Sequence, residues 1–77
     1  MMKDIIKARL NEMCTHILFF YNGYQCGIDP ISRTHFDMWY GDKDFKAISI
    51  DEAMTVNLFG GKCLNEIADD IEITEGL

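Results

Sequence analysis

Two histidines, three cysteines and thirteen carboxylate side chains are the groups in this 77-residue chain whose chemistry could reach beyond packing. His16 and Asp29 could serve as a base and its orienting carboxylate. His35 and Asp37 stand two residues apart and share one face of a strand. No serine or cysteine is placed beside either pair by the pattern, so a modest cross-strand ion pair is the plainer reading of His16 and Asp29. Cys14, His16, Cys26, His35 and Cys63 are the candidates for a metal, yet no CxxC or HxxxH spacing exists among them, which argues against structural zinc. Cys26 reads as an inert buried thiol, not a nucleophile. Gly60-Gly61-Lys62 is similar to the end of a phosphate loop, but Val56 stands where that pattern needs glycine and Cys63 where it needs Ser or Thr. A glycine break before the last helix explains it better. These residues call for no cofactor.

Seven basic residues against thirteen acidic ones give a net charge of −6. That balance argues against direct binding to nucleic-acid phosphates, which takes clustered Lys and Arg. With no run of like charge, a solvated acidic surface is the plain reading. The sharper one is an acidic decoy for a basic nucleic-acid-binding protein, which requires Asp42, Asp44, Asp69, Asp70, Glu72 and Glu75 to cluster in space. Met1-Met2-Lys3-Asp4 puts charges where a signal peptide needs apolar residues, and no apolar run approaches a membrane span. Reduced cysteines and a cytoplasmic location are expected.

The elements that must position these groups follow from periodicity. Met2, Ile5, Ile6, Arg9, Leu10 and Met13 recur at helical spacing and predict an amphipathic helix over Lys3–Met13. Thr15–Tyr21 reads as a strand, ended by the hairpin signal Asn22-Gly23. Tyr24–Asp29 returns, closed by Pro30, and residues 31–34 form a loop. The strand His35–Tyr40 alternates cleanly. A turn at Gly41-Asp42-Lys43-Asp44 leads to a fourth strand, Phe45–Ile48. Ser49 and Glu52 form a capping box before a short helix over Ile50–Val56. Leu64, Ile67, Ala68 and Ile71 mark another short helix, and Ile71–Thr74 alternates as a further short strand would. The expected fold is a single α+β domain over 1–77: an N-terminal helix, a four-stranded antiparallel meander, and two short C-terminal helices packed on one sheet face.

Turn geometry fixes which side chains share a face. Across Asn22-Gly23, Tyr21 opposes Tyr24, Phe19 opposes Cys26, and Ile17 opposes Ile28, an apolar face. Folding the second hairpin about Asp42-Lys43 sets Tyr40 against Phe45, Met38 against Ala47, Trp39 against Lys46, and Asp37 against Ile48. The reverse face then carries His16, Leu18, Phe20, Asp29, His35, Asp37, Trp39, Lys46 and Ile48. A fully solvated sheet face would carry more Thr, Lys and Glu. Trp39 over Lys46 reads either as an aromatic covering a lysine stem or as a binding hot spot.

Tyr21-Asn22-Gly23 through Cys26-Gly27-Ile28-Asp29-Pro30, then Phe36-Asp37-Met38-Trp39-Tyr40-Gly41 and Gly61-Lys62-Cys63-Leu64, resembles a group of short uncharacterised bacterial proteins. The resemblance implies no activity, ligand or catalytic residue; it implies only that the Trp39 strand is a shared feature.

The residues together argue for a non-enzymatic protein-interaction module. It would bind through the mixed face around Trp39, with a second copy of the chain as the simplest partner. The alternative is a small hydrolase or isomerase using His16, Asp29, His35 and Asp37.

Overall fold

The computed structural model describes residues 1–13 and 15–77; the metal candidate Cys14 lies outside the described residues. Helix α1 spans Met2–Glu12 and turns Ile6 and Leu10 into the core. It stops at Met13, whose left-handed backbone returns an N–H to the Leu10 carbonyl. Strands β1 (Ile17–Tyr21), β2 (Tyr24–Ser32), β3 (His35–Tyr40) and β4 (Lys43–Ala47) follow. Helix α2 (Ile50–Thr55), helix α3 (Leu64–Ile67), a 3-10 turn (Ala68–Asp70) and strand β5 (Glu72–Glu75) complete the chain.

The α+β class is as the periodicity predicts, but the sheet has five strands, in the order β4-β3-β2-β1-β5. The extra one is the C-terminal stretch, which pairs antiparallel with β1 through a bulge next to Leu18. The first hairpin has the expected register, Tyr21 to Tyr24, Phe19 to Cys26 and Ile17 to Ile28. Asn22 and Gly23 take φ of 56° and 82°, the two positive values that a type I′ turn demands.

Two expectations need correction. Pro30 does not close β2 but lies within it, opposite Phe36. Among the described residues the β1–β2 ladder ends at Ile28, so at Pro30 the strand has a partner on one side only, and a register shift follows before Ser32. The missing N–H is tolerated at such a place. The second hairpin folds about Gly41-Asp42, not Asp42-Lys43. Tyr40 therefore opposes Lys43, Trp39 opposes Asp44, Met38 opposes Phe45, and Asp37 opposes Lys46. Gly41 supplies the positive φ, 61°, at the first turn position, where Asp42 would be strained. The slip is two residues, so every side chain keeps its expected face while its partner changes.

One face of the sheet holds the core. Ile17, Phe19, Cys26, Ile28, Phe36, Met38 and Ala47 are buried against Ile6 and Leu10 of α1, Met54 of α2, Phe59, and Leu64 and Ile67 of α3. Ser49 caps α2 by accepting the Glu52 N–H at 3.0 Å, and the Glu52 carboxylate takes the Ile48 N–H at 2.9 Å. Glu66 accepts the Cys63 N–H at 3.0 Å ahead of α3, a bond that holds its carboxyl below the usual range.

Candidate functional site

The face turned away from the helices is built in rows, because residues opposite one another in neighbouring strands point the same way. One row runs Leu18, Gly27, Trp39, Asp44 across β1, β2, β3 and β4. The row beside it runs Asp29, Asp37, Lys46. On the other side Phe20 stands between Gln25 and Glu72. Leu18, Asp29, Asp37 and Trp39 are half-buried, and Phe20 and Lys46 are exposed.

Trp39 organises this face. Its indole lies across the neighbouring strand on top of Gly27, so close that a Cβ at position 27 would run into Cζ2 and stand 2.7 Å from Cε2 and 2.8 Å from Cη2. Gly27 is buried as a result. The ring then forms a ridge between two grooves. On one side Leu18, Phe20, Gln25, Trp39 and Thr74 line a groove of about 270 Å³ with an apolar floor. On the other, Asp29, Asp37, Trp39, Asp44 and Lys46 line one of about 310 Å³ that is rich in carboxylates. Asp29 directly opposes Asp37. Like charges so placed repel, and the surroundings offset this: the His35 imidazole meets Asp37 at 2.8 Å, and Lys46 stands opposite it on β4.

Several expected partnerships are replaced by others. Trp39 does not stand over Lys46; the turn at Gly41-Asp42 sets it opposite Asp44. His16 does not pair with Asp29. It precedes β1, and its Nε2 lies 2.6 Å from the carboxylate of Glu75 on β5. Ile48 lies beyond β4 and is 68% exposed, outside the sheet rows. His16 and His35 are thus held by different carboxylates, and no hydroxyl or thiol is bonded to either ring among the described residues. Cys26 is on the core face, as expected, and burial pushes its thiol above the usual range. Among the described residues no three His, Cys, Asp or Glu side chains gather as metal ligands. The carboxylates of the decoy reading divide between the two ends of the sheet: Asp42 and Asp44 at the β3–β4 hairpin, Glu72 and Glu75 on β5.

Two features of the face escaped the sequence reading. Gly27 carries the Trp39 ring, and an isolated glycine inside a strand is itself a sign of close approach. Glu72 and Glu75 join the face through β5. A third feature is elsewhere: a wide groove of about 560 Å³ between α1, the start of α2 and the β2–β3 turn. It is lined by Lys7, Arg33, Asp4 and Asp51 among others, its charges balanced. No described helix is long and apolar enough to cross a membrane. Compared with protein-family models, with curated proteins and with solved structures, the chain finds no match.

Proposed function

We propose that this chain is a small protein-binding module whose docking surface is the outer sheet face around Trp39. The observation that carries the reading is the Trp39 ridge, with an apolar groove on one flank and a carboxylate-lined groove on the other. Tryptophan fixed by its own chain is an anchor of low entropic cost, and such anchors dominate interface energetics. The charge of the face selects the partner. Asp29, Asp37, Asp44, Glu72 and Glu75 outnumber Lys46, so two copies laid face to face would bring acid onto acid. A segment of another protein bearing Lys or Arg next to an apolar residue fills both grooves at once. Free thiols at Cys26 and Cys63 fit a reducing, cytoplasmic setting for this partnership.

Trp39 is the only tryptophan, so its emission reports occupancy directly. Titration with a peptide alternating Lys and Val should shift that emission, and the shift should weaken as salt is raised. The same peptide with Glu in place of Lys should have no effect. An equal response to both peptides, or to neither, refutes the reading.

A further inference from the structure

Among the described residues, strand β4 ends the sheet with one side unpaired. Its sequence, Lys43-Asp44-Phe45-Lys46-Ala47, is self-complementary in one register only. We propose that two copies of this chain join antiparallel along β4, with the two-fold axis at Phe45, to make one continuous ten-stranded sheet. The outer faces of the two copies must coincide, so Asp44 and Lys46, which point outward, can oppose only outward residues of the second copy. Three such registers pair at least three residues of the strand with the second copy. An axis at Asp44 sets that carboxylate against itself, and an axis at Lys46 sets ammonium against ammonium. With the axis at Phe45, Asp44 of each copy opposes Lys46 of the other, twice over, while the Phe45 rings meet on the inner side.

Exposed edges are blunted by charge, lysine above all, and that is the effect of these residues against a foreign strand or a slipped copy. Against a second copy in the one matched register the same charges attract. Closed two-fold pairing uses both β4 edges, so this seam joins two copies and no more. Asp44 and Lys46 are both exposed, and Phe45 is half-buried. In the pair, the row Leu18, Gly27, Trp39, Asp44 runs on into Lys46, Asp37 and Asp29 of the second copy. The dimer thereby doubles the Trp39 surface instead of covering it. The seam lies at the sheet's edge and goes beyond the docking reading, because it holds whether or not the outer face takes a partner.

The test is a charge swap read by sedimentation over about 10 μM to 1 mM, a range that captures a short, weak seam. Wild type should dimerise with rising concentration. Asp44→Lys alone sets lysine against lysine, and Lys46→Asp alone sets aspartate against aspartate; each should weaken dimerisation about tenfold or more. Mixing the two variants should restore the dimer, because each then presents the charges the other lacks. That gain also certifies that both variants are folded. Trp39→Ala should leave the dimer intact; the seam is read by sedimentation and the docking face by wild-type Trp39 emission, so failure of one is distinguished from failure of the other. A wild type monomeric throughout, single variants that dimerise like wild type, or a mixture that stays monomeric overturns the proposal.

Discussion

Replacing Gly27 with alanine is the sharpest probe of the Trp39 ridge. The added methyl would stand 2.7 and 2.8 Å from the Cε2 and Cη2 atoms of the indole, against about 3.5–4 Å for ordinary carbon contact. The methyl also runs into Cζ2, the nearest ring atom, so the ring must retreat by more than about an ångström, and overpacking of that kind costs about 1–3 kcal/mol. Against this, removing glycine from a strand interior stabilises by about 0.5–1 kcal/mol. The net expectation is a loss of about 1–2 kcal/mol, which lowers the midpoint of thermal unfolding by about 5–10 °C in a chain of this size. The sign should reverse without the ring. In a Trp39→Ala background the clash is gone, and Gly27→Ala should be neutral or stabilising by about 0.5–1 kcal/mol. Four proteins followed by circular dichroism during heating complete the cycle. Equal effects of Gly27→Ala in both backgrounds would show that the indole does not rest on the glycine.

Two further outcomes follow from single contacts. Gly76 has φ of 99°, and a Cβ there would meet the His16 carbonyl oxygen and lie 2.8 Å from Ile17 Cα. Gly76→Ala should dislodge β5 and speed amide hydrogen exchange in Leu18 to Phe20, at a cost of about 2 kcal/mol or more; unchanged protection there would contradict the packing. Burial raises the Cys26 thiol, so the unfolded chain loses this proton first as pH rises. The contribution is therefore complete below the ordinary thiol value of about 8.5 and falls away through the raised one. Denaturant unfolding at pH 7 and pH 10 should show a smaller alkaline loss for Cys26→Ala than for wild type, and an equal loss would refute the assignment.

The two hairpins show what a sequence can and cannot specify. Asn22-Gly23 offers a single place for two positive φ values, so the turn, the register and both faces of β1 and β2 follow from one dipeptide. Gly41-Asp42-Lys43-Asp44 offers more than one two-residue loop, and the choice depends on which residue must take positive φ. The faces survive that ambiguity because both loops preserve parity, and so most of the outer-face residues are legible while their partners are not. His16 illustrates a different limit. Extending the β1–β2 register past the end of the strand gives Asp29, but β1 also pairs with β5, and Glu75, which stands opposite Leu18 beside the bulge, takes the imidazole. Four alternating residues near the C-terminus suggest a short strand but not which edge of the sheet it joins. Gly27 was open to reading as a close-approach glycine, but which ring lies on it depends on the β2–β3 register, a tertiary fact.

The placement of β5 also governs the order in which the molecule can assemble. β1 through β4 are joined by tight turns, so their ladders close at little entropic cost. β5 reaches β1 only after the intervening helices, as in the bond from Thr74 Oγ1 to the Leu18 carbonyl across 56 residues. Loop closure of that span favours late docking. Until it happens β1 is itself a bare margin of the sheet, carrying Leu18 and Phe20, and a nascent chain is open there to a neighbour's strand. The carboxylates of Glu72 and Glu75 ride on the strand that ends this exposure. Folding therefore covers β1 last, from within, and leaves a short, carboxylate-bearing strand as that edge of the sheet, while β4 forms the other edge.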